Sequence, residues 1–561
     1  MKHLPIGINN YKEIIEENCY YVDKTLLIKE LLSKRDKATL LCRPRRFGKT
    51  LTLSMLKYFF EKTEISNAHL FTDKKVWEHE DVRTHQGQYP VIFISFKDVK
   101  DANFEDAYKS IVLIILKEFE RYEKVLLSNL NEGQALRYNM LKSGAADNIL
   151  LCSSLLFLSE LLHEHYGKRV IVLLDEYDTP IHAAYTHSYY AEMIIFIKKL
   201  FSSVLKDNDH LERSVLTGIL RTAKEGIFSD LNNLAVYTLL NDEFSDKFGF
   251  TSDEVDLLLK DQNLTEHKVA IQKWYNGYHA GETSLIYNPW SILNCVNKNG
   301  KFMTYWVNTS SNDLIKTLIA GANSYVKQEL ESLLNDIPVV KTIEEAFTFA
   351  TVYQTDNVLW SLLLFSGYVT YSERILTNKG KYDCNLTLPN HEIRCLYKDF
   401  ISEIFISSFK DQDNIKEFFR ALTNKDTRSV QQLLQLFITN SMSFYDLAHN
   451  EPEKSYHLFI LGLLVTLENT YSVRSNRESG YGRYDIMLIP HDKSQVGIVI
   501  EFKKVGDQTL EEASEAALLQ IQDKKYANEL YAQGITNIIG YGIAFAGKQV
   551  LVKSLVLYNR D

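Results

Sequence analysis

Two groups of residues in this 561-residue chain have the types and spacing to do chemistry. The first begins with Arg43 to Thr50, "RPRRFGKT", and continues in "KRVIVLLDEYD", an apolar run closed by Asp175 and Glu176. A loop ending in Gly-Lys-Thr, entered from "ATLLC" and left through "KTLTLSMLKYFFE", turns backbone N–H groups and a helix N-terminus toward an anion. Lys49 would reach the β- and γ-phosphates of ATP, Thr50 would offer its hydroxyl to Mg2+, and Gly48 would let the backbone approach the phosphates closely. Arg43 replaces the glycine that usually opens such a loop. Arg43, Arg45 and Arg46 add positive charge, and with Phe47 they complete the expected nucleotide-binding set.

Taken alone, a Gly-Lys-Thr stretch is better explained as a basic loop capping a helix. The apolar run ending in Asp-Glu favours the nucleotide reading. Asp175 would hold magnesium through water, and Glu176 would polarise the attacking water. Thr217, late in "SVLTGIL", and Arg221 just after it are candidates for contact with the γ-phosphate. Strand-end packing and a surface arginine explain these two equally well.

The second group lies near the end of the chain, in "GRYDIMLIP" and "VIEFKK". Asp485 opens one strand; Glu501 and Lys503, two apart on the next, share a face. Charged residues at alternate positions of an apolar strand need a reason. A salt bridge is one. The other is metal-dependent phosphodiester hydrolysis, with Asp485 and Glu501 binding Mg2+ or Mn2+ and Lys503 orienting or deprotonating water. Gln520, Lys524 and Tyr526 follow on a helix expected from about Thr509 to Gln533, where Gln520 and Lys524 would share a face. Arg477 and Arg483 stand where guanidinium groups would grip a phosphate. Lys503, Lys504, Lys524 and Lys525 form a candidate DNA-contacting patch, or simply a solvated surface.

The elements needed to position these groups are visible. Up to about residue 250, short apolar runs (38–42, 91–96, 169–175, 214–220, 236–240) alternate with longer amphipathic segments, which predicts a parallel sheet with helices on both faces. From 251 to 450 the pattern is mainly helical. From 451 to 561 it is a compact mixed α/β unit. Nine prolines and no Gly/Ser-rich tract imply short, packed joints.

Composition sets limits. A net charge of -9 is not that of a chain built to coat nucleic acid, so any such contact must be local. Six cysteines without C-x-x-C pairs argue against a zinc ribbon or disulfide framework and fit a reducing, cytoplasmic compartment. The first residues do not look like a secretory signal, and no apolar stretch is long enough to predict a membrane span.

Many stretches match a known pattern. They include "LPIGINNYKEI", "YYVDKTLLIKELL", "RPRRFGKTLTLSML", "VLLDEYDTPI", "VLTGILRTAKEGIFSDLNNL", "WYNGYHAGETSLIYNPWSIL", "YWVNTSSND", "LPNHEIR", "YHLFILGLL", "SNRESGYGRYDI", "IEFKK" and "ALLQIQDKKYA". Over nearly its whole length the chain resembles bacterial proteins with an N-terminal AAA-ATPase-like domain and a C-terminal PD-(D/E)XK nuclease-like domain. The resemblance implies a P-loop domain over 1–250, a helical lid and connecting region over 251–450, and a restriction-endonuclease-like domain over 451–561. The arginine-headed loop is that family's form of Walker A. Tyr287, Asn288 and Pro289 resemble part of a lid, although Pro289 also reads simply as the start of a helix. The resemblance implies Asp485, Glu501 and Lys503 as catalytic residues with Gln520 in support; Glu478 reads as an added ligand or as a turn carboxylate.

The expected function is an ATP-binding switch coupled to a Mg2+-dependent DNA nuclease, in defence or mobile-element biology. An ATP-dependent interaction module that does not cut is the alternative. A motor ATPase ranks lower, for want of a helicase motif set. The sequence is compatible with a homo-oligomer.

Overall fold

A run of five buried residues, Ala38–Cys42, forms β1, an interior strand of a five-stranded sheet. The computed structural model describes all residues except 1, 128–129, 222–232, 283, 307–312, 348–354, 408–411, 442–459, 461–462, 465–466, 468–469, 476–477, 480–481, 507 and 558–561. The chain divides into two compact units, one of residues 1–315 with 339–393, the other of 316–338 with 394–561.

In the first unit β1 is joined by β2 (Val91–Ser95), β3 (Val170–Asp175), β4 (Leu211–Gly218) and β5 (Leu234–Tyr237). The order is β2-β3-β4-β1-β5 and every pairing is parallel. Such largely apolar runs are stable only when both faces are covered, as β1 and β3 are throughout. The strand β4 lies between β1 and β3. It therefore sets Thr217 beside both the loop after β1 and the carboxylate that ends β3.

The region from 251 to 450 is mainly helical, but it also holds strands that the aromatic runs had concealed. The first unit contains β6 (Phe250–Thr251), β7 (Tyr278–Ala280) and β8 (Ser284–Tyr287) in one antiparallel sheet. It also contains β9 (Val339–Ile343), β10 (Thr370–Leu376) and β11 (Tyr382–Thr387) in another.

The second unit is built on β12 (Tyr471–Ser475), β15 (Ile486–Pro490), β16 (Gly497–Lys504), β17 (Ile538–Ala546) and β18 (Gln549–Leu557), in that order; β16 and β17 alone are parallel. A two-strand hairpin, β13 (Glu478–Ser479) with β14 (Gly482–Arg483), precedes β15. One sheet face packs on helices Gln412–Thr423 and Thr427–Ser441 through Phe418, Leu422, Leu434 and Ile438. Helix Leu510–Asp523 contributes Ile521 to a second core with Val499 and Ile538.

The helix expected to reach Gln533 stops earlier. A capping box between Thr509 and Glu512 starts it, and it ends at Asp523; a separate short helix spans Asn528–Ala532. Lys525 adopts φ 53°, which breaks the run, and Tyr526 turns into the core instead of lying on the helix. Among the described residues no helix is long and apolar enough to cross a membrane.

Candidate functional site

At the carboxyl end of β1 the chain turns through Arg43–Gly48 and enters helix Lys49–Phe60. Gly48 has φ 88° and Arg46 φ 66°, both left-handed. Glycine adopts this at little cost; an arginine there is strained, a condition that gathers at ligand-binding turns. Lys49 is 4 % exposed, and its ammonium donates to the carbonyls of Arg43 (3.1 Å) and Pro44 (2.9 Å). Burial pulls its pKa down, and Glu176, Asp178 and Asp175 oppose that shift.

The carboxylate of Asp175, wholly buried at the end of β3, gathers three hydroxyls. Thr50 Oγ1 donates to Oδ2 at 2.9 Å, Ser95 Oγ donates to Oδ2 at 3.1 Å, and Thr217 Oγ1 donates to Oδ1 at 2.8 Å. Burial, then Glu176, raises its pKa, against the pull of those hydrogen bonds and Lys49. Glu176 follows with φ 50°, another left-handed residue without a glycine's freedom. Lysine, threonine and aspartate thus converge at one helix N-terminus, a donor set that fits a nucleotide phosphate with its divalent cation.

Two expected members of the set have other tasks. Arg43 is fully buried and donates to the carbonyls of Cys42 (2.8 Å), Tyr237 (3.2 Å) and Phe244 (2.9 Å), with its guanidinium over the Phe248 ring. It ties β1 to β5 and the segment that follows, and is not a phosphate-facing cation. Phe47 is likewise buried, edge-on to Tyr278, so its side chain anchors the loop rather than touching a ligand. Arg46 is exposed, with its guanidinium 4.5 Å from the Trp290 ring centre. Arg45 presents its carbonyl to the indole N–H of Trp306 (3.2 Å) and, more distantly, to Asn288 Nδ2 (3.5 Å). Asn288 also caps helix Pro289–Asn297, so Pro289 does open a helix. Arg221 lies three residues beyond β4, partly exposed.

Ser95 and Asp178 escaped the sequence reading. Asp178 is 2 % exposed and its Oδ2 accepts the N–H groups of Ile219 (2.7 Å) and Leu220 (3.2 Å). Its pKa is depressed: burial raises it, but hydrogen bonding to His182, that histidine's charge and the Ile219 N–H outweigh burial. Its only trace in the sequence is a second aspartate three places after the first, in "DEYD".

The second unit brings Asp485, Glu501, Lys503 and Gln520 together. Asp485, one residue before β15, accepts the Phe502 N–H on Oδ2 at 2.7 Å. Glu501, 2 % exposed within β16, accepts from Gln520 Nε2 on Oε1, and Lys503 Nζ stands 3.6 Å from the same oxygen. Burial and the neighbouring Asp485 push the Glu501 pKa up to about 8, against the pull of Lys503. Among the described residues its buried Oε2 has no hydrogen-bond partner. Two adjacent carboxylates, one with an orphaned oxygen, fit a hard divalent cation, whose charge would relieve their repulsion. Among the described residues no group of three or more His, Cys, Asp or Glu side chains is arranged to hold a metal, so the candidate ligands are this pair.

Tyr526 completes the cluster. Its hydroxyl donates to the Arg483 carbonyl (2.7 Å) and accepts from Gln520 Nε2 (3.2 Å). Ser479 Oγ donates to the Tyr526 carbonyl, which pins the β13–β14 hairpin beside Asp485. Lys504, Lys524, Lys525 and Arg483 are exposed and Lys503 partly so. Arg477 and the side chain of Glu478 lie outside the described residues.

Comparison with known proteins agrees with this division. Residues 5–228 match the family described as predicted AAA-ATPase, and residues 451–555 match the PD-(D/E)XK nuclease superfamily. The chain thus carries an AAA-ATPase-like domain and, toward its C-terminus, a PD-(D/E)XK nuclease superfamily domain. It is also similar to a protein of Azotobacter chroococcum mcd 1 described as an "uncharacterized protein in vnfD 5'region", at 27 % identity over 95 % of this chain and 94 % of that one.

Proposed function

We infer that the protein binds ATP with Mg2+ at the loop before helix Lys49–Phe60 and hydrolyses DNA phosphodiesters at the Asp485–Glu501 pair with Mg2+ or Mn2+. The observation that carries the nuclease reading is the buried Glu501, crowded by Asp485, with one oxygen unsatisfied and Lys503 and Gln520 beside it. The bound cation would supply Lewis acidity and a water of lowered pKa.

The chain's own groups do the rest. Gln520 holds one oxygen of Glu501, which fixes the carboxylate's rotation. The Phe502 N–H holds Asp485 in the same way. Lys503 neutralises charge that grows at phosphorus and orients the attacking water. At the nucleotide loop, Lys49 exchanges two carbonyl partners for phosphate oxygens, a stronger charge-assisted contact. Thr50 and Asp175 would hold the cation, and Glu176 would accept the proton of the attacking water. Nucleotide state would then govern the nuclease, a coupling suited to defence or mobile-element biology.

Supercoiled and linear DNA incubated with the full chain and Mg2+ or Mn2+ test the nuclease, with Glu501→Ala as control. Cleavage lost in Glu501→Ala and kept in Lys49→Ala when ATP is absent supports two separate sites. Equal cleavage by the parent and Glu501→Ala would overturn the nuclease assignment, as would no cleavage under either metal both with and without ATP.

A further inference from the structure

The turn that follows β4 is clamped from the β3 side. Tyr177 N–H donates to the Thr217 carbonyl (3.1 Å) and Tyr177 Oη to the Leu220 carbonyl (2.5 Å), while Asp178 Oδ2 accepts the N–H of both Ile219 and Leu220. Both backbone groups of Leu220 are therefore held by consecutive side chains of "DEYD". The fit is tight: a Cβ on Gly218 would meet the Tyr177 ring at 2.5 Å. From the other side, the Arg43 N–H donates to the Gly218 carbonyl at 3.0 Å, which ties the same turn to the start of the nucleotide loop.

The next residue is Arg221. Its guanidinium has no ion-pair or hydrogen-bond partner among the described residues, and its charge reaches the Cys42 thiol at the entrance to the loop. A buried carboxylate and a buried phenol thus fix the backbone immediately before Arg221, at the end of the strand that neighbours the Lys49 loop. Burying both would be costly unless the geometry they enforce had a use.

We propose that Tyr177 and Asp178 are positioning residues, which hold the turn after β4 so that Arg221 meets the terminal phosphate of a nucleoside triphosphate. The inference rests on the nucleotide reading of the Lys49 loop and deepens it. It explains how one strand reports on the γ-phosphate through two residues that touch no ligand. Because Thr217 in the same strand holds Asp175, the cation ligand and the phosphate-facing arginine share one rigid support.

The test is the ratio of affinities for ATPγS and ADP, each with Mg2+, measured calorimetrically on the full chain. Arg221→Ala should lower ATPγS affinity about tenfold or more and leave ADP within about threefold. Tyr177→Phe, which removes a single hydroxyl, should shift the ratio the same way by a smaller factor. It should add nothing when combined with Arg221→Ala. Asp178→Ala should act like Tyr177→Phe, and Asp178→Asn, whose amide oxygen still accepts both N–H groups, should restore the ratio.

Equal losses for both nucleotides in Tyr177→Phe would make the clamp merely structural and overturn the proposal. So would a ratio unmoved by Arg221→Ala. If the parent binds neither nucleotide, the proposal falls together with the nucleotide reading. If it binds both and the variants leave the ratio unchanged, the proposal falls alone.

Discussion

The main-chain N–H of Trp306 donates to Glu392 Oε1 at 2.6 Å, and both residues are buried, at 2 % and 1 % exposure. Ser291 Oγ donates to the other oxygen of the same carboxylate at 2.7 Å. The indole of Trp306 reaches the Arg45 carbonyl in the nucleotide loop. Glu392 lies in the first turn of helix His391–Ser407. A chain of hydrogen bonds therefore runs from the loop to the start of that helix.

Replacing Glu392 should be costly. Glu392→Gln puts an amide donor against one of two existing donors, and Glu392→Ala leaves both without an acceptor. Each loss should lower stability by about 1–3 kcal/mol, with alanine the worse. Urea unfolding reads the difference; a glutamine variant as stable as the parent would contradict the hydrogen-bond assignment.

Trp306 also supplies an optical probe. Its indole donates to the Arg45 carbonyl in the proposed ATP-binding loop, so ATP should change the intrinsic tryptophan emission, and Trp306→Phe should remove most of that change. The protein has five tryptophans, so a signal that persists undiminished in the variant would place the responding residue elsewhere.

Lys49→Ala should weaken ATP binding by about 100-fold or more, because it removes the buried ammonium's charge-assisted contact with phosphate. Thr50→Ala should act differently. It removes the hydroxyl now shared with Asp175, so it should abolish the enhancement of ATP binding by Mg2+ while retaining the weaker metal-free affinity. Calorimetry with and without Mg2+ separates the two effects.

Arg43 belongs to the fold and not to the ligand set, and the two can be told apart. Arg43→Leu strips three carbonyls of their donor and should cost roughly 3 kcal/mol or more. At temperatures where the variant stays folded, its preference between ATP and ADP should match the parent's. A variant of undiminished stability that lost ATP selectively would return Arg43 to the phosphate site.

Glu501 fixes a pH dependence with a definite sign. Its folded pKa is raised to about 8, whereas in the unfolded chain it titrates near the usual carboxyl value of about 4.3. Between these values the unfolded state holds fewer protons, so stability of the metal-free protein falls as pH rises through the window, by up to about 1.4 kcal/mol per pH unit. Glu501→Gln removes the titration. It should be more stable than the parent near pH 8 and converge with it toward pH 4.5. Mg2+ or Mn2+ should raise the parent's melting temperature and leave that of Glu501→Gln unchanged. Parallel pH curves would refute the assignment.

Much of both sites was legible before any folding was considered. Short runs such as Ala38–Cys42 and Val170–Asp175 are apolar at all but one position, so both faces need cover, which a parallel sheet with helices on each side supplies. The ends of those strands then carry Lys49, Thr50 and Asp175. In the same way, Glu501 inside an apolar strand announced itself, because a charge in that position requires a purpose.

What local pattern does not encode was decided by the tertiary structure. The position of β4 between β1 and β3 brings Thr217 onto Asp175, and strand order is a matter of long-range pairing rather than of any window of residues. Arg43 looked like a phosphate ligand because its charge was visible and its direction was not; three carbonyls from separate segments claim it. The left-handed turn at Lys525 ends a helix that composition alone would have continued. Tyr526 is more stable buried against Gln520 and the Arg483 carbonyl than exposed on one more turn of helix. Residue type and spacing determine which chemistry this chain can offer; the register of strands and the direction of buried side chains determine which of those residues meet.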